Sequence, residues 1–141
     1  MHKQYIFFIL VCILSISINA QSIIGKWKTI DDATGKAKSI VEIYKNDNKI
    51  YAKISELLDK EDKDKVCEKC NGKNKNKPLK GLVIVNGLTK GNGEWNGGKI
   101  TDPKTGKEYK CYFTLISKNK LKVRGFIRFS LLGRTQYWYK I

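Results

Sequence analysis

The chain has 141 residues, with 28 lysines and arginines against 13 aspartates and glutamates, which gives a formal net charge of +15 at pH 7. After residue 20 it contains no histidine and no run approaching the roughly 18 apolar residues of a membrane-spanning helix. The sequence therefore excludes Ser-His or Cys-His catalysis in residues 21–141. Its scattered lysines favour weak, salt-sensitive binding to anionic surfaces over specific recognition of nucleic acid.

The first twenty residues have the pattern of a secretory signal peptide. Lys3 supplies a positive start, an apolar run extends from Tyr5 to Leu14, and Ala20 stands at a suitable cleavage point. The apolar run is short for a transmembrane helix, so cleavage is favoured over an uncleaved membrane anchor. We therefore expect a signal peptide over residues 1–20, one domain over residues 21–141, and a secreted or periplasmic location.

Short runs rich in Val, Ile, Tyr, Phe and Thr, separated by Gly, Asn and Asp, predict β-strands throughout the remaining chain. We expect eight strands, over residues 23–30, 39–45, 49–57, 81–87, 93–101, 107–116, 121–129 and 134–141. A polar loop, residues 58–80, separates the third strand from the fourth. Eight antiparallel strands in about 120 residues fit a closed meander barrel or a sandwich. Because closure leaves no exposed strand edge, the predicted fold class is all-β, a single antiparallel eight-stranded meander β-barrel.

The polar loop carries a C-x-x-C motif, Cys67 and Cys70, and a third cysteine, Cys111, follows in the sixth strand. Within residues 21–141, three thiols without a histidine make a poor zinc site, and Asn71 stands where haem attachment requires histidine. No strand-to-helix context of a thioredoxin-like pair surrounds the motif. A disulfide is the remaining interpretation in an oxidising compartment, with Cys67–Cys70 favoured by proximity and a pairing with Cys111 left open. No metal or other cofactor is predicted.

The carboxylates do not form a recognisable catalytic set. Asp31 with Asp32, or Asp62 with Asp64, could pair as acid and base, but both pairs stand in polar, turn-like stretches where carboxylates stay ionised. The glycine-rich GNGEWNGG lacks the lysine and the helix of a phosphate-binding loop, and favours turns and a bulge around Trp95. We therefore predict that the protein is not an enzyme.

The first predicted strand begins with a G-x-W motif, Gly25 and Trp27. Small ligand-binding barrels of the lipocalin type are similar in this respect. In them the tryptophan closes one end of the barrel, and an arginine from late in the chain packs over its ring. The resemblance implies that Arg124 or Arg134 has that position here, where a guanidinium stacked on an indole contributes about 1 kcal/mol.

A set of motifs extends this resemblance over residues 25–138. The motifs are G-x-W-x-T-x-D-D, C-x-x-C-x-G, P-L-x-G-L, W-x-G-G-x-I-x-D-P-x-x-G-K-x-Y-x-C, L-x-V-R-G and G-R-T-Q-x-W. Together they resemble an uncharacterised family of secreted bacterial proteins, domain of unknown function 2147 (DUF2147). The resemblance implies a lipocalin-like barrel outside the cytoplasm and brings no established reaction. The chain departs from the family at Arg128–Leu132, which is bulkier and more charged than the usual G-x-S-x-F-G.

Two functions follow from these expectations. The first is binding of a small hydrophobic or amphipathic ligand in the barrel, with arginines suited to a carboxylate or phosphate head group. The expected ligand-binding residues are Tyr44, Tyr51, Trp95, Phe113, Arg124, Arg134 and Tyr137. The alternative is a cell-envelope interaction module in which side chains fill the barrel and the basic surface binds anionic surfaces or a protein partner. An enzyme using carboxylates ranks last.

Overall fold

The computed structural model describes residues 22–129 and 131–141. The predicted signal peptide, residues 1–20, lies outside the described residues. Eight β-strands and two 3₁₀ turns, Lys60–Asp62 and Gly72–Asn74, make up the regular structure. The strands are β1 Gly25–Ile30, β2 Ala37–Asn46, β3 Lys49–Leu57, β4 Val83–Gly91, β5 Glu94–Thr101, β6 Glu108–Ser117, β7 Lys120–Phe126 and β8 Gly133–Lys140.

Each strand pairs with its neighbours in sequence order, and β8 pairs with β1, so the sheet closes into a barrel. All the strand pairs are antiparallel. The prediction of an all-β, eight-stranded antiparallel meander barrel is therefore confirmed. The alternation of apolar and polar residues along the strands determines this outcome, because successive side chains point to opposite faces of a sheet.

The register of the strands defines two ends of the barrel. The hairpin end contains the tight turns around residues 47–48, 92–93 and 118–119, together with residues 22–25 and the last strand's end. The first two of these turns have left-handed backbone at Asp47, Asn48, Asn92 and Gly93, which suits two-residue hairpins. The opposite end, called here the cap end, contains residues 31–36, 58–82, 102–107, 127–129 and 131–132.

The interior of the barrel is filled by aromatic and aliphatic side chains from all eight strands. The largest fully buried ones include Trp27, Trp138, Phe113, Ile43, Leu88 and Leu121. An eight-stranded barrel has an interior just wide enough for side chains to fill it or for one small ligand. The packing here follows that geometry, and it places the principal hydrophobic core where a lumenal ligand would otherwise lie.

The seventh strand is shorter than predicted. It ends at Phe126, whereas the alternation in the sequence suggested continuation to Phe129 with Ile127 and Phe129 on the apolar face. Arg128 has a left-handed backbone conformation, and the amide of Ile127 donates to the carbonyl of Leu132 at 3.0 Å. The chain therefore turns at this point and leaves Ile127 and Phe129 exposed.

Candidate ligand site at the cap end of the barrel

Trp27 lies in the barrel interior near the hairpin end. Its ring is fully buried, and its Nε1 donates to the carbonyl oxygen of Ile23 at 2.8 Å. The Nζ atom of Lys140 lies 4.8 Å from the centroid of the ring and donates to the carbonyl oxygen of Ile24 at 2.7 Å. A Cβ atom at Gly25 would lie 2.7 Å from that Nζ, so glycine at this position leaves room for the lysine.

The expectation that Arg124 or Arg134 covers Trp27 is corrected by this geometry, because Lys140 lies over the ring. Trp27 and Lys140 are opposite each other in the β1–β8 register. Arg124 lies on the outer face of β7, where its Nη1 donates to Oγ1 of Thr135 at 2.9 Å. Arg134 lies near the start of β8, at the other end of the barrel, too far along the strand to reach the ring.

Arg134 instead forms an exposed ion pair at the cap end. Its Nε donates to Oδ2 of Asp32 at 2.7 Å, its Nη2 also contacts that oxygen, and Gln136 approaches it at 3.5 Å. This ion pair connects the β1–β2 turn to β8. Because both side chains are about half exposed or more, the ion pair is worth less than about 1 kcal/mol.

The seven residues expected to bind a ligand do not converge on one site. Trp95 and Phe113 are opposite each other in the β5–β6 register and point into the core. Tyr44 and Tyr51 stack on the outer surface, with ring centroids 5.8 Å apart. Tyr137 is also on the outside, where Lys120 Nζ lies 4.5 Å from its ring centroid. The three tyrosines point outward because successive residues of a strand face opposite sides, and their neighbours Ile43, Ala52 and Trp138 point inward.

One polar atom in the core has no partner among the described residues. Trp138 packs edge-on against Phe113, with ring centroids 5.4 Å apart. Its Nε1 is buried and donates no hydrogen bond. A buried donor without an acceptor costs about 1–3 kcal/mol. The two large interior indoles therefore differ, since Trp27 is satisfied and Trp138 is not.

The long loop between β3 and β4, residues 58–82 and called here the cap, folds over the cap end. Cys67 and Cys70 form a disulfide within it, with Cα atoms 5.4 Å apart, and both residues are buried. The amide of Cys67 donates to the carbonyl of Lys77 at 2.8 Å, and the amide of Asn76 donates back to Cys67 at 2.9 Å. The disulfide and these hydrogen bonds hold a polar, lysine-rich segment in one conformation.

The cap rests on the turn between β5 and β6. The Sγ atom of Cys67 lies 3.5 Å from the carbonyl oxygen of Pro103. Gly106, with φ of 72°, lies directly under the Lys69–Cys70 peptide, and a Cβ atom there would overlap the carbonyl oxygen of Lys69. Only glycine allows this close approach together with a left-handed backbone.

The β5–β6 turn has a copy at the β1–β2 turn. Residues 31–36 read DDATGK and residues 102–107 read DPKTGK, and both turns close in the same way. In each, the glycine amide donates to the carbonyl of the first aspartate, at 2.8 Å for Gly35 and 2.7 Å for Gly106. Gly35 has open space around it, whereas Gly106 supports the cap. The repeated D-x-x-T-G-K motif marks these two turns in the sequence. The alternation of apolar and polar residues in the strands does not reveal it.

A cleft of about 360 Å³ lies where the cap meets the barrel rim, and it is called here the cap cleft. Two lysines, Lys69 and Lys107, provide positive charge, and Glu108 provides one negative charge. Amides and hydroxyls add hydrogen-bonding groups, and Tyr109 and Ile127 add apolar surface. The remaining lining residues are Cys70, Asn71, Asn74, Thr101, Thr105 and Gly106.

A second groove lies on the outer wall, between β3 and the end of the cap. It is lined by Glu42, Lys53, Ile54, Ser55, Lys80 and Gly81. The charged groups along it are mixed in sign. The cap cleft is the better candidate because it combines cations, amides and an aromatic ring in one concave site.

Comparison with known proteins decides the family. A family model described as "Uncharacterized protein conserved in bacteria (DUF2147)" matches residues 25–140. The chain belongs to the DUF2147 family. Among solved structures, this DUF2147 chain is similar to protein HP1028 from the human pathogen Helicobacter pylori, which is described as belonging to the lipocalin family. The two chains are 26% identical, with a TM-score of 0.74 over 85% of this chain and 83% of the other. No match was found among curated proteins.

The lipocalin likeness of this DUF2147 chain rests on the closed meander as well as on the G-x-W motif. In the described ranges, 22–129 and 131–141, no helix has the length and apolar character needed to cross a membrane. Within the same ranges, no group of three or more histidine, cysteine or acidic side chains could hold a metal ion.

Cys111 in the DUF2147 barrel is an unpaired, buried thiol on β6. Burial raises its pKa from 9.0 to about 12. Because a thiol reacts as its thiolate, we expect native protein at pH 8 to show the same thiol reactivity as the Cys111→Ala variant. Unfolding without reductant should expose one further reactive thiol in the wild type, measured with a chromogenic disulfide reagent. Rapid labelling of Cys111 in native protein would contradict its buried position.

The raised pKa of Cys111 also makes stability depend on pH. The folded state keeps the proton that the unfolded chain loses, so this contribution is fully present below the unfolded pKa near 9.0 and is lost as the pH rises towards about 12. The wild type should therefore lose stability relative to Cys111→Ala over this window. Chemical denaturation of both proteins at pH 8, 9 and 10 checks the sign, and parallel curves would contradict it.

Proposed function

We propose that this DUF2147 chain is an extracytoplasmic binding protein without catalytic activity, and that it holds a small amphipathic molecule in the cap cleft. The observation that carries the proposal is the composition of that cleft, in which Lys69 and Lys107 stand near the apolar surface of Tyr109 and Ile127. Such a site suits a molecule with an acidic head group and a short apolar body.

The filled interior supports a site at the rim rather than deep in the barrel. Trp27, Phe113 and Trp138 are buried in the barrel interior, the region in which ligand-binding barrels of eight strands hold a small molecule. The cleft lies outside this core and is bounded by the disulfide-linked cap. A ligand there can enter without displacing core side chains, so binding would cost little reorganisation of the barrel.

The charges around the cleft restrict the head group. Lys69 and Lys107 attract an anion, while Glu108 repels a second negative charge on its side of the cleft. A head group with a single negative charge, such as a carboxylate or a phosphodiester, fits this arrangement best. The exposed cations also predict that affinity falls as the salt concentration rises.

Thermal unfolding with a panel of fatty acids, lysophospholipids and neutral analogues tests the proposal. We expect single-charge amphiphiles to raise the melting temperature of the wild type, and the double variant Lys69→Ala/Lys107→Ala to lose most of that shift. A ligand at about one hundred times its dissociation constant stabilises the native state by about 2.7 kcal/mol, which the assay resolves. Lys45→Ala/Lys49→Ala, on the opposite end of the barrel, is the matched control.

Two outcomes would overturn the proposal. In the first, no member of the panel shifts the melting temperature and native mass spectrometry of the purified protein detects no retained ligand. In the second, a shift is observed but survives unchanged in the Lys69→Ala/Lys107→Ala variant, which would place binding outside the cap cleft.

A further inference from the structure

Four large apolar side chains are exposed together in the turn between β7 and β8. They are Ile127, Phe129, Leu131 and Leu132, with 54%, 62%, 89% and 59% of their surface exposed, and they are called here the apolar tip. The backbone of the turn is held by a hydrogen bond from the amide of Leu132 to the carbonyl of Phe129 at 3.0 Å. Single exposed apolar residues are ordinary, but a cluster at the end of a turn indicates a surface for interaction.

The outer face of β6, β7 and β8 continues from this tip along the barrel wall. It carries alternating basic and aromatic side chains and is called here the basic-aromatic face. Its residues are Lys110, Tyr112, Lys120, Lys122, Arg124, Phe126, Tyr137 and Tyr139. Lys120 lies over Tyr137 and Tyr139, at 4.5 Å and 5.9 Å from the ring centroids, and Lys122 lies 5.7 Å from that of Tyr112. The lysine ammonium groups thus lie over aromatic rings on the outer surface of the barrel.

The charge of this part of the chain has one sign. Residues 109–141 contain eight lysines and arginines and no aspartate or glutamate, which is more than half of the net charge of +15 in less than a quarter of the chain. Elsewhere the lysines are interspersed with acidic residues, as in the cap. The basic-aromatic face and the apolar tip therefore form one continuous surface that is both cationic and apolar.

We propose that this surface docks on an anionic lipid bilayer, with Phe129, Leu131 and Leu132 entering the boundary between head groups and acyl chains. Lysines and arginines at a membrane surface pair with anionic head groups, and tyrosines favour the head-group level. Aliphatic tips gain by leaving water for the acyl region. The combination fits a bilayer better than a polysaccharide or a nucleic acid, which offer an aliphatic side chain little apolar surface.

Charge also argues against a second copy of this chain as the occupant. Two basic-aromatic faces brought together would oppose many like charges, with only Glu108, at the start of β6, as an acidic group on the same strands. The proposal does not depend on a ligand in the cap cleft. Ile127 does line that cleft as well, so the docked orientation brings the mouth of the cleft to the lipid surface.

Co-sedimentation with vesicles tests the proposal, using phosphatidylcholine alone and phosphatidylcholine with phosphatidylglycerol. All proteins are purified with the same N-terminus, verified by mass spectrometry. We expect the wild type to bind the anionic vesicles, and Leu131→Asp/Leu132→Asp to bind them at least about tenfold less tightly. The control Ile24→Asp/Leu58→Asp adds the same two charges at apolar positions away from the tip, exposed to 41% and 38%, and should lose less than about threefold.

A second pair of variants tests the charged part of the surface. Lys110→Gln/Lys122→Gln should weaken binding to anionic vesicles by about tenfold, whereas Lys45→Gln/Lys49→Gln, at the β2–β3 hairpin, should have a smaller effect. If the aspartate variants fail to fold, Phe129→Trp provides another measurement. Its fluorescence should shift to the blue with anionic vesicles and be quenched by brominated acyl chains.

Several results would overturn the proposal. Equal binding to neutral and anionic vesicles would remove the role of charge. Equal binding by the tip variant and its control, with removal of all binding by soluble polyphosphate, would show non-specific adhesion to polyanions. Light scattering that shows a wild-type dimer and a monomeric tip variant would identify the surface as a contact between copies, and a tip that binds an acidic protein but no vesicles would identify a protein site.

Discussion

Replacing Gly106 by alanine is expected to lower the free energy of unfolding by about 3 kcal/mol, through a left-handed backbone and an overlap with the cap. The new Cβ would overlap the carbonyl oxygen of Lys69 and lie 2.9 Å from the amide nitrogen of Cys70. The atoms on the other side of the overlap are backbone held near a disulfide, so they cannot rotate away as a flexible side chain could. The cap must therefore lift from the barrel rim. Chemical denaturation monitored by tryptophan fluorescence measures the loss.

Gly35 provides the matched control, because it holds the same position in the other D-x-x-T-G-K turn. Its φ of 70° is close to the 72° of Gly106, but a Cβ atom there meets nothing within contact distance. Gly35→Ala should therefore lower the free energy of unfolding by only about 1 kcal/mol, the cost of a left-handed backbone at alanine. The difference between the two variants isolates the contact with the cap. Equal costs would show that the cap does not press on the β5–β6 turn as described.

The two interior indoles should respond unequally to removal of the ring nitrogen. Trp27→Phe removes the donor to the carbonyl of Ile23 and leaves a small void, for a loss of about 2–4 kcal/mol. Trp138→Phe leaves a comparable void but also removes an N–H that has no acceptor among the described residues, so the net change should be about 1 kcal/mol or less. Urea denaturation of the two variants and the wild type gives both values.

The comparison between these variants has its own control, since the two substitutions are chemically identical and both rings are almost fully buried. Near-equal losses would mean that Trp138 Nε1 has a partner in solution, for which a buried water is the natural candidate. A larger loss at Trp138 than at Trp27 would contradict the account of the hairpin end, in which Trp27 is held by a hydrogen bond and by Lys140.

The fold was predictable because its determinants are local. Alternation along residues such as Tyr109, Cys111 and Phe113 specifies which side of a strand faces the core, and turn residues such as Asp47 and Asn48 specify where the strand reverses. The prediction was wrong at the end of β7, where Ile127 and Phe129 continue the alternation on paper. The left-handed backbone of Arg128 interrupts the strand, and no apolar pattern signals it.

The site was less predictable because it depends on register between distant segments. The cation over Trp27 is Lys140 only because β1 and β8 meet in that register, which cannot be seen before the barrel closes. Tyr44 and Tyr51 are residue types that are common in binding sites, but their positions in β2 and β3 place both rings on the outer surface of the barrel. The contact of Gly106 with the cap likewise joins residues far apart in sequence, although the repeated D-x-x-T-G-K motif marked both turns.

The join between β1 and β8 has a consequence for how the barrel opens. Residues Trp27 and Lys28 meet Lys140 and Tyr139 there, in a shorter ladder than those between strands that follow one another in the chain. Every other strand pair in the meander joins strands that follow one another in the chain, whereas β1 and β8 have no direct connection. In amide hydrogen exchange, the amides of the β1–β8 pairing should therefore be the first in the barrel to lose protection, and the last to regain it during refolding. Since Ser22 and Ile141 lie beside this pairing, a peptide linker joining these two residues should slow that opening while leaving the rest of the sheet unchanged.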